Sequence, residues 1–490
     1  MLEEAISHYH SLLDDAMARE TQAQLDQHQR DRGLFFGDRP LANVLRPRFI
    51  SLEQYWALRT ACNLVVSAAN TLAAEMLRDL RLRARVGLTP AEERLIAIDP
   101  GYAEPSAHSR MDTFLSLDGR SLQFVEYNAE SPAAIAYEDA LSEVFLQLPV
   151  MHEFAKQYTI SALPARQRLL TTLLRAWKNA QAPAPPTIAI VDWYNLPTRF
   201  EFLLCQRYFA EQGVDSVICS PDDLVYHEGR LYARGGQTNN NWQGDFPITI
   251  VYKRVLTAEL LTHYGESFFD HPLYHAYAAH AVCMVNSFRA KLLHKKAIFA
   301  LLTDESLQSG FTANEQSAIR RCVPWTRMLT ADTTTYQGKP VQIHEFARNQ
   351  RERLILKPND DYGGRGITIG WESTPEQWDN ALAAASHSPH VIQERVEIAY
   401  EAYPSLVNGQ LEVSRRLVDS DPFLFGTDVQ GCLTRLSTVT LLNVTAGGGS
   451  TVPAFVIEPT ASANSSEANA TDLADADTQP MQLGDAHEHL

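Results

Sequence analysis

Through about position 100 the apolar residues recur at intervals of three and four, as in YWALRTACNLVVSAANTLAAEMLRDLRLRARVGL. That period marks one face of a helix. The spacing predicts that residues 1–100 are mostly helical, with a break at LTPAEE, where Thr89 can cap and Pro90 open the next turn. Near position 110 the period shortens. MDTFLSL and SLQFVEYN are β-like runs joined by DGR, which predicts a hairpin.

A helical stretch and the Pro-rich linker AQAPAPPT follow, and then the short buried run IAIVDW, an amphipathic helix through RFEFLLCQRYFAEQG and a second strand, SVICS. This β-α-β alternation predicts a small parallel sheet. LVYHEGRLYARGG reads as a further hairpin and ITIVYKRV as another buried strand, so residues 185–290 form one α/β unit. From residue 291 to 458 the helix AKLLHKKAIFALLTDE leads into strands interrupted by helices. Residues 459–490 carry six acids, no Lys or Arg and little to bury, a composition that predicts a disordered acidic tail.

At 490 residues the chain is long enough for two or three subdomains. A formal net charge of -17 argues against attraction to nucleic acid or to an anionic membrane. Six scattered cysteines with no CxxC spacing suit a reduced, cytoplasmic chain. The acidic, amphipathic N-terminus is unlike a signal peptide, and no window approaches the roughly eighteen apolar residues of a membrane span. Oligomeric state is open.

The chemistry concentrates in two stretches. In LILKPNDDYGGRGITIGWE, strand-like runs flank a glycine cluster, so the loop closes a hairpin instead of opening a helix. Backbone N–H groups of Gly363, Gly364 and Gly366 can cradle phosphate there, with Lys357 as charge partner. The plain alternatives are an ordinary turn and a solvent-facing lysine. Past a helix capped at STPEQW, the strand HVIQERVEI can offer its backbone to a purine edge, and Glu401 lies far enough on to meet ribose hydroxyls.

The second stretch is SRMDTFLSLDGRSLQFVEYNAESP. Asp112, Glu126 and Asn128 are hard-oxygen donors of the kind Mg²⁺ takes. Glu126 and Asn128 are two apart on a strand and share a face, and the hairpin can bring Asp112 alongside. The alternative is a polar strand face with Arg110 and Asp112 as a surface ion pair of little energetic value. Against it, the acid and amide stand among Phe124, Val125 and Tyr127, where an unpaired carboxylate is expensive.

Lys357, the glycine loop and the strand after it resemble the ATP-grasp superfamily. The carboxylates upstream of the loop are similar to its circularly permuted members, and FVEYNAESP with an upstream R-x-D resembles the synthetase domain of glutathionylspermidine synthetase. The similarity covers most of residues 100–458. It implies a circularly permuted ATP-grasp fold, α+β with a small parallel-sheet pre-ATP-grasp subdomain beside the helical N-terminal region. It further implies ATP and Mg²⁺ as cofactors, with Asp112, Glu126 and Asn128 as metal ligands, Lys296 and Lys357 on phosphate, Gln393, Glu394 and Val396 in the adenine hinge and Glu401 on ribose. Lys291 and Lys295 rival Lys296, and Arg435 is open between ligand and structural roles. The implied reaction is amide formation between a small-molecule or peptide carboxylate and an amine through an acyl phosphate, with Arg110 stabilising the developing charge. An ATP-binding protein without ligase activity and a phosphotransferase are the competing readings.

Overall fold

The computed structural model describes residues 1–460 apart from 241, 331, 362 and 440–448. The helical pattern at the start holds in three long helices, Leu2–Leu12, Asp15–Arg32 and Leu52–Met76. Asp14 caps the second through the N–H groups of Ala16 and Met17, and Gly33 ends it at a φ of 66°. Ser51 and Gln54 form a capping box on the third, which buries Leu58, Cys62, Val65, Ala69, Leu72 and Met76 along one face. Thr89, Glu92 and Pro90 open the helix Pro90–Ile96 as the spacing predicts.

The N-terminal region is not helical throughout. Arg48–Ser51 is a strand that pairs in parallel with Ser450–Pro459, with Ala454 opposite Arg48. Its buried Phe49 and Ile50 explain the pairing: a short apolar run gains more inside a sheet than at the head of a helix. The two ends of the described chain therefore meet in the central sheet. Pro459, where composition places the start of the tail, closes that strand, and residues 461–490 lie outside the described residues.

The central sheet runs in the order Tyr400–Val407, Gln410–Val418, Asp428–Ser437, Asp421–Phe425, His108–Leu115, Leu122–Asn128. The upstream hairpin thus forms the end of a run whose other four strands lie between residues 400 and 437, while Ser450–Pro459 joins Arg48–Ser51 and Tyr158–Ala162 to the same sheet. Beside it lies the α/β unit, in which Ile188–Val191 pairs in parallel with both Ser216–Cys219 and Ile250–Lys253, and Ile250–Lys253 with Cys283–Val285. The residues of Ile188–Val191 and Ile250–Lys253 are all buried, as strands covered on both faces require.

A smaller antiparallel sheet carries the glycine loop: Thr326–Met328, His390–Glu394, Leu354–Pro358, Thr368–Ile369. Trp378 and Leu382 of the helix Pro375–Ala385 pack with Leu356 and Ile392 of this sheet in one core. Thr374 and Gln377 cap that helix.

Candidate functional site

The central sheet, the α/β unit and the small sheet enclose one cavity of about 560 Å³. Arg110, Asp112, Glu126, Asn128, Lys357, Gly363, Gly364, Gln393, Glu394 and Val396 all line it. Residues separated by up to 286 positions in sequence (396 − 110) thus face one space. No membrane-length apolar helix exists among the described residues.

The hairpin fixes the acids. Asp112 stands opposite Glu126, and Arg110 opposite Asn128. Asn128 Nδ2 donates to Asp112 Oδ1 at 2.8 Å. Arg110 Nε donates to the same oxygen at 2.9 Å, and Arg435 donates to Oδ2 at 2.7 Å. Burial alone would raise the Asp112 carboxyl; the arginines beside it, Arg110 foremost, hold it instead at about 2. Both oxygens accept hydrogen bonds, so Asp112 anchors two guanidiniums at the cavity wall.

Arg435 is held on three sides. Its Nη2 lies within 2.7 Å of Asp112, 2.6 Å of Asp419 and 2.8 Å of Asp421. Asp419 and Asp421, outside the expected site residues, stand two apart, the same spacing as Glu126 and Asn128. Burial pushes both carboxyls up, Asp421 well above its ordinary value. Arg110 has fewer acceptors: beyond Asp112 it donates to the carbonyl of Ala133 at 3.1 Å.

A break in a helix sets the three lysines of KLLHKKAIF apart. KLLHKKAIF does not form one continuous helix; Lys291–His294 and Ala297–Leu302 are separate, with Lys295 extended between them. Asn359 causes the break, because its carbonyl accepts from Lys296 N at 2.9 Å and its Oδ1 accepts from Ala297 N at 2.8 Å. Lys296 thereby reaches Glu126 at 2.9 Å and the carbonyl of Asp361 at 2.6 Å. Lys291 and Lys295 turn away into a buried network, Lys291 to Asp360 at 2.7 Å and Lys295 to Glu92 at 2.8 Å.

The glycine hairpin closes as expected, with Ile355 opposite Ile369. Lys357 stands one residue before the end of its first strand, almost fully buried, and donates to Gln393 Oε1 at 2.7 Å and to the carbonyl of Val125 at 3.0 Å. Burial lowers its ammonium to about 8, despite Glu126 nearby, and Lys296 adds to the lowering. Gly363 and Gly364 line the cavity with φ of 66° and 76°, so their N–H groups are carried on a left-handed backbone. Gly366 departs from the expectation. It is not part of the lining, and a Cβ there would meet Pro358 Cγ at 2.7 Å, so its glycine serves the tight turn.

The hinge is only partly open. The N–H groups of Glu394 and Arg395 are spent on the carbonyls of Trp325 and Arg353, at 2.8 Å each. The Gln393 side chain is turned to Lys357 and to Thr326, and Tyr336 and Arg353 both donate to Glu394 Oε1 at 2.8 Å. Glu401 overturns its expected ribose contact. It is buried away from the cavity, with Arg46 on Oε2 at 2.8 Å and Arg48 against Oε1, because two fully buried arginines need a counter-charge.

Metal fit divides the expected trio. Glu126 keeps a fifth of its side chain exposed at the cleft, 22%, with Oε1 toward Lys296; Lys296 and then Lys357 bring its carboxyl below the ordinary value against the opposing effects of burial and Asp112. Asn128 spends its amide N–H on Asp112. Glu126 and Asn128 carry oxygen donors of the kind a magnesium ion takes, and Asp112 with its arginines stands beside them. Among the described residues no three His, Cys, Asp or Glu converge as metal ligands.

No family model matches the chain, and no curated protein does. Solved structures similar to it include a glutathione synthetase-like effector from Globodera pallida in its apo form, at 11% identity, with a TM-score of 0.54 over 91% of this chain and 99% of that one. A gamma-glutamylcysteine synthetase-like protein from Methylobacillus flagellatus aligns at 9% identity over 77% of this chain and 83% of that one, with a TM-score of 0.39. D-alanyl-alanine synthetase A from Vibrio cholerae aligns at 12% identity over 49% and 68%, with a TM-score of 0.23. The first supports a shared mixed α+β fold over nearly the whole length of both chains.

Proposed function

We propose that the cavity binds ATP with Mg²⁺ and that the chain is an ADP-forming carboxylate–amine ligase with a circularly permuted ATP-grasp fold. The observation that carries this is the meeting of Lys357, the Gly363–Gly364 backbone and Glu126 with Asn128 in one cleft, with Lys296 outside the lining but paired to Glu126 at 2.9 Å. Two ammoniums, a left-handed glycine loop and oxygen donors suit a triphosphate better than any uncharged ligand. The hairpin His108–Leu115 and Leu122–Asn128, joined through Asp421–Phe425 to strands between residues 400 and 437, is consistent with the permuted order. The likeness to a glutathione synthetase-like effector supports the fold behind this reading.

Glu126 and Asn128 would hold the metal, which when bound neutralises phosphate charge and fixes its orientation. In the reaction a substrate carboxylate oxygen attacks the γ-phosphorus and the bond to ADP breaks, giving an acyl phosphate. The amine nitrogen then attacks the carbonyl carbon, loses its proton, and inorganic phosphate leaves. Lys296 and Lys357 counter the charge of the transferring group. Arg110, held in place by Asp112, faces the cleft where the acyl oxygens gather charge, and its planar fork can span two of them. Gly363 and Gly364 close over the phosphates and limit water access.

The test is ADP release from ATP by the purified chain with paired panels of carboxylates and amines. Ligase activity requires release that depends on both partners together and an amide product by mass spectrometry. Release with one partner alone, or with neither, would overturn the ligase reading.

A further inference from the structure

Part of the cavity lining has a different chemistry from the lysine and glycines. There the cavity is lined by Phe36, Leu41, Tyr137, Leu196 and Leu256. The Tyr137 hydroxyl is not offered to the space, since it donates to the carbonyl of Phe35 at 2.9 Å. Phe36 and Leu41 belong to the N-terminal region, outside the stretch whose motifs point to nucleotide chemistry. A two-pair hairpin, Phe35–Phe36 with Arg39–Pro40, presents them. The Gly37 N–H donates to the Pro197 carbonyl at 3.3 Å, which ties this hairpin to the loop carrying Leu196. Leu41 is tied as well, its carbonyl accepting from Thr451 N at 2.8 Å. Two segments far apart in sequence are thus joined into one apolar wall, with Asp192 and Arg254 as charged neighbours.

We infer that one of the two substrates joined in this cavity carries an apolar group of the size of a leucine or phenylalanine side chain beside its reacting carboxylate or amine, and that Phe36 and Leu196 select it. The inference rests on the ligase reading above. The five apolar side chains offer water no partner, so an apolar group laid against them is favoured by roughly 25 cal/mol for each Å² it buries. A polar substrate of the same charge loses its hydration there without replacement. An apolar amino acid and a short fatty acid share the chemistry, and the titration separates them.

The experiment titrates the full chain, saturated with Mg²⁺ and a non-hydrolysable ATP analogue, by calorimetry with leucine, phenylalanine and hexanoate against serine, glycine and acetate. An apolar member is expected to bind about tenfold or more tightly than its polar counterpart, the gain from two buried methylenes. Phe36→Asp and, independently, Leu196→Asp should remove that preference and leave analogue affinity within about twofold. Preference among the amino acids alone assigns the wall to an amino acid or peptide terminus, and preference for hexanoate assigns it to an acyl chain. Equal binding of polar and apolar members, or binding by none of them while the analogue binds, overturns the inference. If the analogue itself does not bind, the nucleotide reading has failed; the same series titrated without nucleotide then decides the wall, preference supporting it and its absence overturning it.

Discussion

Lys357 offers the sharpest quantitative test, because its ammonium is buried against neutral acceptors, Gln393 Oε1 and the Val125 carbonyl. The charged groups around it are Glu126, which favours the ammonium, Lys296, which opposes it, and the more distant Asp112. In the folded chain it titrates near 8 against an ordinary value of 10.5. Below pH 8 the ammonium is charged in both folded and unfolded chains, and folding bears the full desolvation cost. Between the two values the unfolded chain holds the proton that the folded chain has released, so stability rises with pH, by about 3 kcal/mol in total. Lys357→Met should lack that rise, and urea unfolding of both proteins between pH 7 and 10.5 isolates it as a difference. A bound triphosphate restores the ammonium. Nucleotide binding at pH 9 should therefore take up close to one proton, read by calorimetry in buffers of different ionisation enthalpy, and the methionine variant should take up none. The variant should also bind nucleotide roughly ten- to hundredfold more weakly, the range for one charge-assisted contact. Equal proton uptake by the two proteins would refute both the low ammonium value and the phosphate contact.

Three further expectations follow from the same geometry. Arg110→Ala should lower turnover by roughly a hundredfold or more with nucleotide affinity little changed, and Arg110→Lys should rescue poorly; full recovery of turnover at high Mg²⁺ would reduce Arg110 to a partner of Asp112. Glu126→Gln with Asn128→Ala should abolish magnesium-dependent ADP release while circular dichroism and melting temperature stay near those of the parent, and normal release would remove both from the site. Glu401→Gln should destabilise the fold by about 3–5 kcal/mol in urea unfolding, because Arg46 and Arg48 would lose their counter-charge, with nucleotide affinity unchanged. Weakened nucleotide binding in a fully stable Glu401→Gln variant would instead restore the ribose role.

The local pattern determined what local physics can determine. The period of three and four gave the N-terminal helices, Thr89 and Pro90 gave a helix start, and two β-like runs about DGR gave the hairpin that sets Asp112 beside Glu126. A strand pair around glycines was enough to tell a hairpin loop from a helix-opening phosphate loop. What the tertiary structure decided was which partner each charge finds. Three neighbouring lysines in KLLHKKAIF look alike along a helix, and only the approach of Asn359, from more than sixty positions later (359 − 296 = 63), breaks that helix and sends Lys296 alone to Glu126. Glu401 lay at a plausible distance from the hinge in sequence, but Arg46 and Arg48 arrive from the other end of the chain and bury it. Asp419 and Asp421 carry no motif along the chain, and only the fold brings Arg435 against them. Hydrophobic period and caps act within a few residues and are written in the sequence; the low-dielectric pairing of buried charges depends on which segments the fold brings together, and that exists only once the sheets have assembled.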